Sequence, residues 1–255
     1  MNTIFKTKTT IFFYFFIIAF LLSCGKGTDI IPTQPKCRLS KIKLLPDGSI
    51  TEFTYNSQGQ LISYKNTNTY VFSTFDYDSK GNVVKVLAYN DTFANPSKLY
   101  FEYGGKYDSN GNLLEISAEP KGFLSGTGIT YALVIFNNQS QVTKLNYING
   151  SENFEYDSKG NMTKKYSSTN PLYYIQYEYD NNKNPYSDLP WLIKYLYTGY
   201  EGFGINNVIN VRTVDANSSP YDFSSKYEVN TDGYPTKRIF LKNSVNSIEY
   251  EYKCE

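Results

Sequence analysis

Apolar and aromatic residues alternate with polar residues over most of the chain beyond residue 36. In Phe75-Asp76-Tyr77 and in Phe154-Glu155-Tyr156 the two aromatic residues stand two positions apart, which places them on the same face of a β-strand. Such alternation indicates strands with one buried and one exposed face. The 26 tyrosines and 17 phenylalanines suit pleated, half-buried surfaces. The pattern predicts an all-β fold.

A six-residue motif interrupts this alternation at intervals. Tyr-Asp-Ser-Lys-Gly-Asn occupies residues 77–82 and 156–161, and Tyr-Asp-Ser-Asn-Gly-Asn occupies residues 107–112. Weaker copies occupy residues 55–60, 136–141, 179–184 and 229–234. Aspartate bonds nearby backbone N–H groups in tight turns, and glycine adopts the left-handed conformation that closes them. Each copy is therefore predicted to be the tip of a β-hairpin.

The repetition of the motif predicts the architecture. Its glycines are Gly59, Gly81, Gly111, Gly160 and Gly233, with Ser140 and Lys183 in the glycine place of two weaker copies. The spacings suggest a unit of roughly 20 to 30 residues, which buries its apolar face only by packing on its neighbours. Two strands per unit give roughly a dozen strands, and consecutive hairpins join most simply as an antiparallel meander. The prediction is a large curled sheet of repeated hairpins over residues 37–255.

The first 23 residues have the features of a targeting segment. Lys6 and Lys8 precede an apolar run over residues 11–22, which is shorter than the about 20 residues of a spanning helix and matches a secretory signal. The run ends in Leu21-Leu22-Ser23-Cys24, which resembles the lipobox of bacterial lipoproteins. The resemblance implies that residues 1–23 are removed as a signal peptide and that Cys24 is acylated. Two or three acyl chains would keep the protein on a membrane.

Residues 24–36 are predicted to be a tether between this lipid and the folded domain. The segment contains glycine and proline, little apolar material and no periodicity, as linkers do. Gly25 stands where many lipoproteins of the inner membrane have aspartate, so by analogy the outer membrane is the expected address. The sequence leaves both the periplasmic and the surface-facing side of that membrane open.

Cys37 and Cys254 stand at the two ends of the predicted domain, about 217 residues apart. In the oxidising cell envelope a remaining pair of cysteines most simply forms a disulfide, which would stabilise the fold by ~4–5 kcal/mol in the chain-entropy model. The alternative is two free thiols. A metal site is less favoured, because the chain has no histidine to complete a ligand set. No metal ion and no cofactor is expected.

The Tyr-Asp-x-x-Gly-Asn pattern resembles the YD repeats, also called RHS-type repeats, of bacterial toxin shells and other surface proteins. With the lipobox, the whole chain looks like the repeat-containing lipoproteins of Bacteroidetes known as the DUF4595-like group, whose function is unknown. Residues 177–186, 205–208 and 250–254 support the resemblance, which covers residues 37–255. It implies an all-β fold and an envelope location, and it implies no activity.

Composition disfavours several classes of function. A formal net charge of +1 without long runs of either sign argues against nucleic acid as a partner, since nucleic acid needs a basic stripe. Without histidine or a Gly-x-Ser-x-Gly segment, a serine triad is excluded. Glu102 and Glu178 are candidates for the paired carboxylates of a glycoside hydrolase. Each glutamate stands between two aromatic residues of a strand, so its side chain is expected to point to solvent on the face opposite the buried rings. Catalysis is therefore the least favoured hypothesis.

The repeat is broken between residues 184 and 210, which makes this segment the candidate functional region. Its candidate binding residues are Tyr186, Trp191, Tyr195, Tyr197 and Tyr200. One interpretation is an aromatic platform for a sugar or peptide, since loops carry binding on rigid β scaffolds. The favoured interpretation is a plug that covers an end or an edge of the sheet. We therefore predict a lipid-anchored, non-enzymatic envelope protein that binds a glycan or a protein partner, with a purely structural scaffold as the alternative.

Overall fold

Sixteen β-strands form from the residues that the computed structural model describes, which are 37–92, 95–121, 130–214, 222–242 and 246–254. The strands are β1 (Cys37–Leu45), β2 (Ile50–Tyr55), β3 (Leu61–Asn66), β4 (Val71–Tyr77), β5 (Val83–Thr92), β6 (Asn95–Tyr107), β7 (Leu113–Pro120), β8 (Thr130–Phe136), β9 (Val142–Tyr147), β10 (Gly150–Tyr156), β11 (Met162–Ser167), β12 (Tyr174–Lys183), β13 (Asn206–Val214), β14 (Asp222–Val229), β15 (Pro235–Phe240) and β16 (Ser247–Cys254). The expected acylation site Cys24 and the tether lie outside the described residues.

The strands form a closed barrel in which each strand pairs with the next one along the chain. β1 also pairs antiparallel with β16, from Cys37 opposite Cys254 to Leu45 opposite Ser247. The predicted all-β antiparallel meander is thus confirmed. The predicted open, curled sheet is wrong, and a dozen strands was too few. Pairing of the first and last strands leaves neither of them as an exposed sheet edge, and such edges are prone to aggregation.

The motif copies form hairpin tips at one end of the barrel, which we call the turn end. Residues 78–82 join β4 to β5, and the Asp78 and Asn82 backbones pair across the turn. Gly81 has a φ of 85°, and Ser140 has a φ of 58° in the glycine place of the 136–141 copy. A register shift follows at Tyr77, as expected of a bulged turn. The copy at 179–184 is the exception, because β12 continues through Lys183.

On β1 to β3, the charged residues and the buried aromatic residues face opposite ways. Lys41 lies opposite Glu52, and Glu52 lies opposite Lys65 on the next strand. Lys41 also pairs with Glu251 at 3.1 Å, whereas Phe53, next to Glu52 in β2, is buried in the core. The charged residues therefore follow the outer face of these strands. Such a face suits contact with water, since a lysine at the lipid-facing midplane of a membrane barrel costs about 2–4 kcal/mol.

The chain leaves the wall between β12 and β13, and we call residues 184–205 the plug. The plug contains a helix, α1 (Trp191–Tyr197), and a 3-10 helix (Gly199–Phe203). The Thr198 N–H bonds the Lys194 carbonyl at the end of α1, and Gly199 follows with a φ of 58°, a left-handed residue of the kind that ends helices. Within the described residues, no helix combines the length and the apolar character needed to cross a membrane.

The plug lies inside the barrel, because its side chains reach strands on different sides of the wall. The Tyr197 hydroxyl donates to Ser73 Oγ of β4 at 2.7 Å, and the Tyr195 and Tyr147 hydroxyls, the latter on β9, are 2.7 Å apart. Glu201 accepts from Arg238 of β15. Strands this far apart in the strand order meet the same short segment only across the lumen.

Candidate functional site in the barrel lumen

The polar residues of the repeated motif are used within the turns themselves. Asp78 Oδ1 accepts from the backbone N–H groups of Lys80 and Asn82, each at 2.9 Å, and Asp78 Oδ2 accepts from Asn82 Nδ2 at 2.9 Å. These hydrogen bonds, chiefly those from Asn82, lower the pKa of the Asp78 carboxyl. The final asparagine of the motif is therefore a partner of its aspartate, which sequence reasoning did not find. This arrangement supports structure rather than binding.

The motif tyrosine is also committed to the wall. The Tyr77 hydroxyl donates to the Leu61 carbonyl at 2.8 Å, and the Tyr107 hydroxyl donates to the Val83 carbonyl at 2.9 Å, in each case on the preceding strand. Equivalent bonds join Tyr55 to Leu39, Tyr156 to Val142 and Tyr179 to Met162. Burial raises the pKa of Tyr77 and of Tyr107 to about 12. The sequence indicated the buried rings of these tyrosines, and it did not indicate the partners of their hydroxyls.

Apolar residues of the plug fill part of the lumen. Leu192 and Ile193 of α1 are fully buried. A Cβ atom added to Gly105 of β6 would lie 3.2 Å from Leu192 Cδ2 and only 2.6 Å from the Val83 carbonyl oxygen, so a glycine is needed where the helix approaches the wall. The Phe203 ring packs 6.4 Å from that of Phe154 on β10. The plug is therefore a part of the core.

A buried ion pair joins the plug to β15. Arg238 is 3% exposed, and its Nη1 donates to Glu201 Oε2 while its Nε donates to Ser225 Oγ at 3.1 Å. The guanidinium also lies 4.5 Å from the Phe223 ring centroid and 4.9 Å from that of Phe240, distances at which a cation is attracted to a ring face. Burial opposes the charge, but the Glu201 carboxylate outweighs it and raises the pKa of Arg238.

A second polar cluster lies where α1 approaches β9 to β11. Lys165 pairs with Glu152, and the Tyr147 hydroxyl contacts both Glu152 Oε2, at 3.3 Å, and Tyr195. Burial lowers the pKa of Lys165, while Glu152 raises it in part. Sequence reasoning found neither this cluster nor the Arg238 pair, because inward-facing charges look like any others in an alternating strand.

The candidate residues of the interrupted segment lie in the plug rather than on an outer platform. Trp191 stacks on Tyr195 with ring centroids 5.3 Å apart and an interplanar angle of 11°, and the Trp191 Nε1 is buried without a hydrogen-bond partner among the described residues. Tyr197 packs 4.5 Å from Tyr64 of β3. The side chain of Tyr200 lies outside the described part of the structure.

The other candidate residues of the sequence are distributed as follows. Cys37 and Cys254 form a disulfide that joins β1 to β16. Glu102 of β6 pairs with Lys121 at 3.5 Å, and Glu178 accepts from an asparagine of β13 at 3.3 Å. β6 and β12 are not neighbours, so the two glutamates do not stand as a pair. The described residues contain no group of three or more His, Cys, Asp or Glu side chains that could hold a metal ion.

A cavity of about 240 Å³ lies in the lumen at the end opposite the turns, which we call the loop end. Its walls are the inner faces of β1, β2, β3 and β16, the adjoining loops and the plug. The aromatic residues that line it are Phe53, Tyr64, Tyr186 and Tyr197, and the polar ones are Ser49, Thr51, Asn66, Asn68 and Thr69. None of the described lining residues is charged. Two of the candidates named from sequence, Tyr186 and Tyr197, thus meet in a concave site.

Some of the polar groups that line this cavity are already hydrogen-bonded to other residues of the protein. Asn66 Nδ2 donates to Thr51 Oγ1 at 2.8 Å, and Asn66 Oδ1 accepts from the backbone N–H groups of the two β3–β4 loop residues Asn68 and Thr69. The Tyr186 hydroxyl makes no hydrogen bond with another described residue, and burial raises its pKa well above the usual value. The side chains of Asn68 and Ser49 are likewise without a described partner. The lining of the cavity therefore contains hydrogen-bond donors and acceptors that have no partner among the described residues.

A different cavity, of about 130 Å³, lies near the turn end between β1, β2 and β16. Arg38 and Lys253 line it together with Ser40 and Thr54. Arg38 and Lys253 stand opposite each other in the β1–β16 pairing. Its lining is cationic, in contrast to the uncharged loop-end cavity.

Comparisons with known proteins add the following. No family model matches the chain, and neither does any curated protein. Similar solved structures include a porin-like protein from Bacteroides vulgatus (13% identity, TM-score 0.44, covering 86% of this chain and 99% of that one). A porin-like protein from Bacteroides uniformis has 12% identity and a TM-score of 0.41, covering 84% and 98%. A Tc holotoxin pore from Photorhabdus luminescens has 16% identity and a TM-score of 0.34, covering 74% of this chain and 11% of that one. Similarities of this degree do not transfer a function to this chain.

Proposed function

We propose that this protein is a lipid-anchored, non-enzymatic protein of the cell envelope, held at the outer membrane through Cys24, that binds a glycan or a protein partner in the loop-end cavity. The observation that carries the proposal is the cavity itself. It combines aromatic walls with a few uncommitted polar groups, which is the composition of ligand sites in the mouths of β-barrels.

The lining of the cavity supports binding rather than catalysis. General acid–base chemistry works best with a group whose pKa lies near the operating pH. None of the described lining residues is an acid, a lysine or an arginine, and burial raises the pKa of the lining tyrosines Tyr64, Tyr186 and Tyr197. The lumenal carboxylates Glu152 and Glu201 are held in ion pairs with Lys165 and Arg238. A group held in such a pair is committed to structure before any ligand arrives.

The course of the chain supports the role of an anchored binder. The segment that leads from Cys24 joins the barrel at Cys37, which is at the turn end, whereas the cavity opens among loops at the other end of the strands. The outer face of β1 to β3 carries charged residues that suit an aqueous surrounding. Anchoring through lipid rather than through the wall fits this part of the barrel surface.

The experiment that tests this proposal uses the full-length lipoprotein, purified in detergent from membranes. In one variant, Asn68→Trp, a large side chain enters the rim of the cavity. Its matched control is Asn110→Trp, since Asn110 is an exposed residue at the turn end whose side chain makes no described hydrogen bond. The wild type and the control are expected to retain a ligand from a screen of glycans and envelope proteins, and Asn68→Trp is expected to lose it.

The alternative, a purely structural scaffold, predicts a different result in the same screen. Wild type, Asn68→Trp and Asn110→Trp would then behave alike, with no ligand whose retention depends on the cavity. A separate variant, Cys24→Ser, tests the anchor. Mass spectrometry is expected to find acyl chains on the N-terminal Cys24 of the wild type and none on Cys24→Ser, and a wild type without acyl chains would contradict the lipid anchor.

A further inference from the structure

We infer that the ligand of the loop-end cavity is an uncharged, hydroxyl-rich saccharide, bound by the end of its chain. This inference rests on the proposed function and names the chemistry of its ligand. Its basis is the combination of an aromatic surface, uncommitted neutral hydrogen-bonding groups and the absence of charge among the described lining residues.

The aromatic surface consists of Tyr64 and Tyr197, whose ring centroids are 4.5 Å apart. Both rings are held from behind. The Tyr197 hydroxyl bonds Ser73 at 2.7 Å, and the Tyr64 ring meets Phe53 edge to face at 5.6 Å. A surface that is already ordered loses little conformational freedom when a ligand arrives. Since the two rings cover one face of each other, each can offer only its remaining face or edge to the C–H groups of a sugar, and the Tyr197 hydroxyl stays bonded to Ser73.

The uncommitted polar groups match the hydroxyls of a saccharide. The Tyr186 and Ser49 hydroxyls can both donate and accept, and the Asn68 amide offers two donors and an acceptor. A sugar hydroxyl also both donates and accepts, so it can satisfy each of these groups whatever the direction of the bond. Such groups do not contribute a fixed charge, and they select a ligand by its pattern of hydroxyls.

A peptide fits this site less well. Extended peptides gain their affinity mainly by adding a strand to an exposed sheet edge, and every described strand of this barrel is paired on both sides. With no free strand edge to pair with, the main chain of a bound peptide would have to form its hydrogen bonds with the few polar side chains of the cavity. Its lining offers those side chains at its rim, which suits a compact ligand better than an extended one.

The absence of charge favours neutral sugars over uronic or other acidic sugars. A carboxylate moved from water into a site without a cation loses its hydration and gains no partner. The cations Arg38 and Lys253 line the other cavity, at the turn end. The volume of about 240 Å³ is below the roughly 300–1,000 Å³ of pockets that enclose drug-sized ligands. It therefore suits the end of a chain rather than its length.

The test measures binding of neutral gluco-, manno-, galacto- and xylo-oligosaccharides, and of oligogalacturonate as the acidic counterpart, by calorimetry on the full-length lipoprotein in detergent. At least one neutral series is expected to bind, with Asn68→Trp abolishing its binding and Asn110→Trp leaving it unchanged. Tyr186→Phe, which removes only a hydroxyl, is expected to weaken binding about 2- to 10-fold. Oligogalacturonate is expected to bind at least about tenfold more weakly than the neutral series.

The possible failures separate this inference from the proposed function. If no oligosaccharide binds but an envelope protein does so in a manner blocked by Asn68→Trp, the saccharide is wrong and the binding role stands. If oligogalacturonate binds as tightly as the neutral series or more tightly, the inference that the ligand is uncharged is wrong, whereas the inference that it is a saccharide stands. If saccharide binding is unaffected by Asn68→Trp, the assignment to this cavity is wrong. If nothing binds in a cavity-dependent manner, both fail.

Discussion

The wall of the barrel and the plug inside it are built in opposite ways. The wall repeats one arrangement, in which the partners within a turn, such as Asp78 and Asn82, are four residues apart. The plug occurs once, and its contacts are distant in sequence, since Tyr197 bonds Ser73 at a separation of 124 residues. The lesson of this difference is that the repeated part makes the fold, and the unrepeated part completes the candidate site by adding Tyr186 and Tyr197 to a lining that the wall supplies.

The two regions also use tyrosine differently. In the wall, the hydroxyls of Tyr77 and Tyr107 donate to carbonyls of the preceding strand, so neither has a hydrogen left to donate to a ligand. In the plug, Tyr197 bonds a side chain across the lumen, and the Tyr186 hydroxyl remains without a described partner. Tyr252 of β16 in the wall also has a buried hydroxyl without a partner among the described residues, so Tyr186 is set apart by its place in the lining of the cavity.

The largest expected effect comes from a wall contact that is not local, the disulfide between Cys37 and Cys254, which joins β1 to β16. The double variant Cys37→Ser/Cys254→Ser is expected to lower the free energy of unfolding by ~5 kcal/mol, because the unfolded chain regains the entropy of an open loop. Urea unfolding of wild type and variant measures it. Wild type with its disulfide reduced is the control, and a loss below about 1 kcal/mol in both would show that β1–β16 pairing alone closes the wall.

The next effect concerns the plug. Glu201→Gln leaves Arg238 buried without its carboxylate and is expected to cost about 3 kcal/mol, since breaking a buried ion pair strands the remaining charge. The double variant Glu201→Leu/Arg238→Met removes both charges and is expected to recover much of the loss. Equilibrium unfolding of the three proteins provides the comparison. If Glu201→Gln lowers the free energy of unfolding by no more than the loss of one tyrosine hydroxyl in the wall does, then contacts of the plug are not more important for stability than contacts of the wall.

A smaller effect is expected for one hydroxyl of the wall. Tyr77→Phe should lower the free energy of unfolding by about 1 kcal/mol, the usual net contribution of a hydrogen bond. The opposite substitution can be made at Phe136, because this residue stands where most other copies of the motif have tyrosine and so lacks the hydroxyl. Phe136→Tyr should therefore stabilise the protein, and the two changes should be additive because they lie in different hairpins. Strong non-additivity would contradict the independence of the repeats.

The last comparison concerns the sign of the pH dependence of stability. Burial lowers the pKa of Lys194 in the plug to about 8, with Asp188 opposing in part, whereas its unfolded value is about 10.4. Between these values the unfolded state binds the additional proton, so this group makes stability rise with pH. Tyr77 and Tyr107 in the wall, with pKa values of about 12, make stability fall above about pH 10, the unfolded tyrosine value.

Thermal unfolding at pH values from 7 to 11 in roughly one-unit steps resolves the two contributions. Lys194→Met should flatten the rise above pH 8 and leave the decline above pH 10 in place. Tyr77→Phe should reduce only the decline. A rise that persists in Lys194→Met would assign it to another group.

Much of the wall could be predicted from the sequence. Phe75 and Tyr77 alternate with Asp76, and a glycine stands at the place that needs a left-handed residue, so the hairpins follow from neighbours in the chain. Closure could not be predicted, because a repeat of hairpins reads the same whether its first and last strands meet or remain apart. The copy at 179–184 misled for a related reason. Asp180 accepts from Asn182 within the copy, but it also accepts from the remote Asn207 of β13, and β12 continues where a turn was predicted.

The sequence by itself determined what depends on short separations. These features are the strands, the turns at residues such as Asp78 and Gly81, and the position at which the repeat is interrupted. The tertiary structure alone decided that the wall closes, that the interrupted segment lies in the lumen, and that Tyr186 and Tyr197 line one cavity together with Tyr64. The physical reason is that a turn is specified by a few adjacent residues, whereas a cavity is the space left between elements that are remote in sequence.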